Sequence, residues 1–370
     1  MNPLHQLHEH GQSPWIDDLH RDFIADGSLQ ELIDQGVRGL TSNPAIFEKA
    51  IAQSDEYNEE IRERDQHGED DETIYQALTV EDVQNAADVF RPLYDQSGGE
   101  DGFVSYEVSP ALATDTEGTY AEACKLWALI DRPNVMIKVP ATQEGLAAIE
   151  QLTADGININ VTLIFGLPRY EAVAKAYIAG LQQRHDQGES VESIASVASF
   201  FLSRIDTMLD PKLAELEKNG ESRASSIKGE VAVASAKVAY QRYKEFFGDS
   251  AFSELRAAGA KAQRLLWAST GVKNPDYAAD KYIEPLIGPD TVNTMPPETL
   301  ETYLQEGQPA ATLEQEVQRA EDILSDLEAL GISIDDATMQ LETEGAEKFV
   351  KPYESLLETL SEARSEVVEQ

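Results

Sequence analysis

The stretch N134-V-M-I-K-V-P-A-T-Q-E-G-L-A-A-I-E150 decides the fold. Its first half alternates: Val135, Ile137 and Val139 form one apolar row, which leaves Met136 and Lys138 on the other face of a strand. Its second half changes period. Thr142 is a helix-starting residue, and EGLAAIEQLTADG (144–156) repeats its apolar positions with helical spacing before a glycine stop. This is a strand, a short turn and a helix in about twenty residues, with a lysine inside the strand.

The unit recurs. SPWID (13–17), VRGLT (37–41), GFVSYEV (102–108), NVMIKV (134–139), IASVASFFL (194–202), QRLLWAS (263–269) and TVNTM (291–295) read as strands, and ININVTLIF carries another over 157–163. Helical patterns such as TYAEACKLWALI (119–130) lie between them. Eight alternations of strand and helix predict an α/β fold, a (β/α)8 TIM barrel, with a doubly wound sheet as the alternative. No Pro-, Gly- or Ser-rich linker divides the chain. We expect residues 1–370 to form a single barrel domain, with 298–370 as additional C-terminal helices packed on it.

Parity then separates the two faces of each strand. Val104, Tyr106 and Val108 form an outer row, leaving Ser105 and Glu107 inside; Ile157, Ile159, Val161 and Leu163 leave Asn158, Asn160 and Thr162 inside. Three consecutive strands therefore aim Glu107, Lys138, Asn160 and Thr162 at the C-terminal mouth, where barrels of this type carry their sites. A lysine enclosed there loses solvation, which disfavours its charged form and lowers its pKa. A neutral amine can attack a ketone to give a Schiff base, an electron sink that permits carbon–carbon cleavage without a metal. Glu107 and Thr162 suit the accompanying proton transfers. The alternative is a buried Lys138–Glu107 ion pair with a structural role only.

Composition excludes other classes. With 68 Asp and Glu against 29 Lys and Arg, a formal charge of −39 repels nucleic-acid phosphates and anionic membranes. The excess sits in stretches such as SDEYNEEIRERDQHGEDDE (54–72), which read as solvated faces and suit a salty cytoplasm. No apolar run reaches membrane-spanning length and MNPLHQLHEH is unlike a secretory leader, so we expect a cytoplasmic protein. The single cysteine, Cys124, cannot close an internal disulfide, and its helical surroundings predict a small buried residue rather than a nucleophile. His5, His8 and His10 offer three nitrogens on a chain terminus with no fourth ligand, so no metal is expected.

VMIKVPATQEGL (135–146) resembles the active-site lysine segment of the transaldolase family, and GVRGLTSNPAIFEKAI (36–51) resembles that family's second signature. The resemblance continues through VSYEVSP, INVTLIF and SFFLSRID, covers about residues 13–300, and is nearest to the longer bacterial-type members with a C-terminal helical extension. It implies transfer of a dihydroxyacetone unit in the pentose phosphate pathway. The donor would be sedoheptulose 7-phosphate or fructose 6-phosphate, and the acceptor glyceraldehyde 3-phosphate or erythrose 4-phosphate. No cofactor is implied, and a homo-oligomer is left open. By the same resemblance Lys138 forms the Schiff base, Glu107 shuttles protons through a water near Thr162, and Asp17 takes the C4 hydroxyl proton. Asp18, of opposite parity, should lie outside the site. Asn43 and Asn160 would hold hydroxyls, although Asn43–Pro44 is also a turn-forming pair. Ser199 and Arg204 match phosphate-binding positions. Where shorter relatives have a second arginine, WASTGVKN (267–274) offers Ser269, Thr270 and Lys273. An aldolase that cleaves without transfer would use the same core residues.

Overall fold

A computed structural model describes residues 2–369; Met1 and Gln370, the ends of the domain read from the sequence, lie outside the described residues. Eight strands, β1 (Gln12–Asp17), β2 (Gly39–Thr41), β3 (Phe103–Glu107), β4 (Val135–Pro140), β5 (Ile159–Ile164), β6 (Ser196–Phe201), β7 (Arg264–Ala268) and β8 (Thr291–Met295), pair in parallel in sequence order. β8 returns to β1, so the sheet is a closed barrel, not a doubly wound sheet.

The opening stretch behaves as its period dictates. Val135, Ile137 and Val139 are buried beneath the outer helices, and Thr142 caps the following helix, Gln143–Ala154, by accepting from Gly145 N at 3.0 Å. Gly156, at φ +90°, ends it in the left-handed region that glycine enters without penalty. Gly39 is required for another reason. A Cβ there would stand 2.4 Å from Trp15 Cε2, so only a bare backbone lets the indole of β1 lie against β2.

Several features differ from the sequence reading. β2 begins at Gly39, although Arg38 N already donates to Pro14 O as the chain enters the barrel. β5 begins at Ile159 and is not a regular strand to its end. Leu163 takes φ 62° and the pairing with β6 slips between Val161 and Ile164, a bulge that turns the chain just after Thr162. Cys124 is half-buried rather than buried, on helix Thr116–Ile130.

After β8 come helices Pro297–Glu306, Val317–Ala329 and Ile334–Glu369. The last packs along helix Pro44–Gln53, where Ser355 Oγ donates to Glu48 at 2.8 Å. Arg169 also grips Glu342 with two 2.8 Å hydrogen bonds. No helix among the described residues is long and apolar enough to cross a membrane.

The N-terminal end of the barrel is closed by a charge cluster. Asp101, 2% exposed, accepts from Ser13 Oγ at 2.6 Å and from Arg38 Nε at 2.5 Å, and Arg264 Nη1 lies 3.3 Å away. Burial alone would raise this carboxyl, but Arg264 and Arg38 outweigh it and hold it below the usual aspartate range. Its stabilising contribution is therefore present above the unfolded-state pKa and lost as pH falls through the folded one. Asp101→Ala strands two guanidiniums around a buried gap. It should cost about 3 kcal/mol or more at pH 7, read as a lowered urea midpoint, and the deficit should shrink toward pH 3.

Candidate active site

Strand register assembles the site. Glu107 and Lys138 are partners across β3 and β4, and Asp17 and Thr41 are partners across β1 and β2. Because all eight strands run in parallel, these residues reach the same end of the barrel. Asp17, Thr41 and Lys138 line a cavity of about 150 Å3 with Asn43, Thr162, Ser199, Arg204, Ser269, Lys273, Thr294 and Phe201, and Glu107 adjoins it through its contact with Lys138 rather than lining it. Larger clefts, of about 380 and 410 Å3, lie among the outer helices.

Lys138 Nζ lies 3.0 Å from Glu107 Oε2 and donates to Ser42 O at 3.2 Å. Both side chains are almost entirely enclosed. Burial pushes the Glu107 carboxyl up, opposed chiefly by the charge and hydrogen bond of Lys138. Thr162 Oγ1, three residues along the chain from Ile159, is buried with no hydrogen-bond partner among the described residues.

Asp17 occupies the opposite wall. Its Oδ1 accepts from the Thr41 hydroxyl at 2.6 Å, and Thr41 Oγ1 meets Thr294 Oγ1 at 2.7 Å, so β1, β2 and β8 together fix the carboxylate. Burial raises its pKa; Lys138, the Thr41 hydrogen bond and Lys273 pull the other way. Asp18 does not line the cavity and pairs with His20 at 3.8 Å.

The remaining expected residues divide. Asn43 is both cap and liner: its Oδ1 accepts from Ile46 N at 3.1 Å at the start of helix Pro44–Gln53, and it borders the cavity. Ser199 lines the cavity and donates to Asn160 Oδ1 at 2.6 Å. Asn160 itself lies one layer below, with its amide nitrogen donating to Ser105 Oγ at 3.0 Å. Thr270 is placed apart from them. It is fully buried and donates to Thr294 O at 2.7 Å, so its hydroxyl fastens β7 to β8 and does not reach the cavity. Ser269 does reach it, at φ 54° and with its Oγ 2.8 Å from Ser203 Oγ. A left-handed serine at a cavity wall is strain of the kind that collects at working sites.

At the rim stand two cations. Arg204 lies in the first turn of the helix Ser203–Lys218 after β6 and over the Phe201 ring at 5.4 Å, with burial lowering its pKa; Lys273 sits on the loop after β7. The sequence reading missed Thr41 and Thr294 as supports of Asp17. The parity test does not find Thr294, since it shares a face with the apolar Val292 and a rule that sets the apolar row outside would place both there.

Comparison with known proteins agrees with this geometry. Residues 14–360 match the model of the Transaldolase/Fructose-6-phosphate aldolase family. A protein named transaldolase from Thiobacillus denitrificans is 46% identical over 358 residues, covering 96% of this chain and 99% of that protein. Proteins of the same name from Frankia alni and Thermobifida fusca are 46% and 45% identical over 363 residues, each covering 98% of this chain and 97% and 98% of their own lengths. With a closed barrel, a buried lysine–glutamate pair at its mouth and similarity along nearly its whole length, the chain belongs to the transaldolase/fructose-6-phosphate aldolase family.

Proposed function

We propose that this enzyme moves a dihydroxyacetone unit from a ketose phosphate, sedoheptulose 7-phosphate or fructose 6-phosphate, to an aldose phosphate, glyceraldehyde 3-phosphate or erythrose 4-phosphate. As a family member it is a transaldolase, and the pentose phosphate pathway and the cytoplasm are the setting this reading assigns. The observation that carries it is a single cavity with an enclosed amine beside one carboxylate, a second carboxylate on the opposite wall, and two cations at the rim.

In this reading Lys138 Nζ attacks the ketose C2. Glu107, with a water held near Thr162, donates the proton that lets the carbinolamine oxygen leave as water, giving the iminium. Asp17 then takes the C4 hydroxyl proton; the C3–C4 bond breaks, its electrons pass to the iminium nitrogen, and the aldose phosphate departs. The enamine left on Lys138 attacks the incoming aldehyde carbon, Asp17 returns the proton to the new hydroxyl, and hydrolysis frees the new ketose phosphate. Asn43 and Ser199 hold hydroxyls of the three-carbon unit, with Asn160 supporting Ser199. Arg204 and Lys273, with Ser269, hold the phosphate. The domain reading, one unit over 1–370, is supported by the packing of helix Ile334–Glu369 on helix Pro44–Gln53.

Fructose 6-phosphate with borohydride should add mass irreversibly to the peptide containing Lys138, because reduction traps the iminium. Labelling of another lysine in an active preparation would sink the assignment. Fructose 6-phosphate should be consumed steadily only when an acceptor aldose phosphate is present. Steady release of free dihydroxyacetone without one would make the enzyme a simple aldolase.

A further inference from the structure

The connection out of β7 is unlike those out of the neighbouring strands. Between Ala268, where β7 ends, and Thr291, where β8 begins, the chain forms no α-helix; its one helical turn is the 3-10 segment Glu284–Leu286. Lys273 lies on this irregular stretch, so its position cannot be fixed by a helix behind it. Side chains fix it. Thr270 anchors the start of the loop to Thr294 O. Four residues beyond Lys273 the Tyr277 hydroxyl donates to Asp210 Oδ2 at 2.6 Å, and further on the Tyr282 hydroxyl donates to Asp206 Oδ2 at 2.9 Å. Lys281, 3.7 Å from Asp206 Oδ2, stacks over the Tyr277 ring at 4.1 Å and donates to Gly229 O.

Both carboxylates belong to the helix that carries Arg204 in its first turn, Ser203–Lys218. Asp206 is 1% exposed and accepts also from Ala232 N at 2.9 Å; Asp210 accepts from Gly229 N at 2.8 Å. The two aspartates therefore join the element bearing one rim cation to the loop bearing the other. Burial pushes the Asp206 carboxyl up to about 6, which leaves it ionised beside Lys281 at neutral pH.

We propose that Asp206 and Asp210, with Tyr282 and Tyr277, are positioning residues that set the separation of Arg204 and Lys273 and thereby the recognition of the substrate's phosphate. The inference rests on the reading of those two cations as phosphate ligands. Because the latch lies behind the rim and touches neither Lys138 nor Asp17, its loss weakens phosphate binding and spares the chemistry.

The test uses the full-length enzyme and two substrates. Tyr277→Phe removes one hydroxyl and keeps the ring. It should raise KM for fructose 6-phosphate by about fivefold or more, with kcat within about twofold. The rate at which borohydride traps unphosphorylated dihydroxyacetone on Lys138 should not change. Asp210→Asn should give a similar KM, and the double variant no more than either single one, as for two groups acting through one contact. Tyr282→Phe, which removes the donor to Asp206, should behave like Tyr277→Phe. An unchanged KM, additive effects in the double variant, or a parallel fall in dihydroxyacetone trapping would overturn the proposal. The last of these marks general loosening. Failure of the wild-type enzyme to form any adduct would instead remove the functional reading itself.

Discussion

Lys138→Ala should lose transfer activity by at least about a thousandfold, a barrier increase of about 4 kcal/mol, while keeping its fold. No neighbouring group replaces the amine. The cavity's other cations, Arg204 and Lys273, lie beyond the ends of β6 and β7, whereas Lys138 on β4 stands against Glu107 and Ser42. The fold survives because Glu107 can neutralise itself. Its carboxyl is already pushed up by burial, and Lys138 is the main influence that holds it down. Without that ammonium the folded-state pKa rises further. A carboxyl whose folded pKa exceeds its unfolded one takes up a proton on folding, so its cost appears as pH rises through that range. The variant should therefore melt closer to wild type at pH 5 than at pH 8. A variant folded at both pH values whose activity lies within about tenfold of wild type would mean that Lys138 is the structural half of an ion pair and nothing more.

How far the sequence discloses this site depends on which interactions are local. Lys138, Glu107 and Thr162 were legible because strand parity is a two-residue rule, and β3, β4 and β5 are neighbours in chain and in space. The support of Asp17 was not, because it depends on closure of the barrel. Thr41 and Thr294 meet 253 residues apart in sequence, and no local pattern announces that contact. The placement of Thr270 was not legible for a related reason. As a polar residue beside Ser269 and Gly271 it looks like a ligand, but a hydroxyl at the end of β7 can equally satisfy a carbonyl of β8, and that is where it goes. The bulge at Leu163 escaped as well, since a leucine at positive φ contradicts its own propensity and is imposed from outside. The latch around Asp206 shows the other limit. DTMLD reads as an ordinary helix face until the loop after β7 is seen to lack a helix of its own.

Asp17→Asn should separate bond cleavage from adduct formation. The carboxylate lies across the cavity from Glu107, held at 2.6 Å by Thr41, and belongs to β1 rather than to the strands that carry the Lys138–Glu107 pair. An asparagine of the same shape keeps the Thr41 contact and loses only the base. Turnover should fall by about 10²–10⁴-fold, the range for loss of a positioned acid–base group, while borohydride still traps fructose 6-phosphate on Lys138 to near the wild-type extent. Glu107→Gln should slow the trapping itself. The pH profile gives a second reading of the same assignment. Burial raises the Asp17 carboxyl, and Lys138, Thr41 and Lys273 only partly offset it, so the base is competent above a pKa higher than the usual aspartate range. Wild-type turnover should accordingly decline on the acid side through that raised value. Lys273→Met, which removes one offsetting charge, should move the decline to higher pH. Asp18→Asn, altering a carboxylate that pairs with His20 outside the cavity, should leave both trapping and turnover close to wild type. Equal loss of trapping in Asp17→Asn and Glu107→Gln would show that the two carboxylates serve one step, and the division of labour between the walls of the barrel would be wrong.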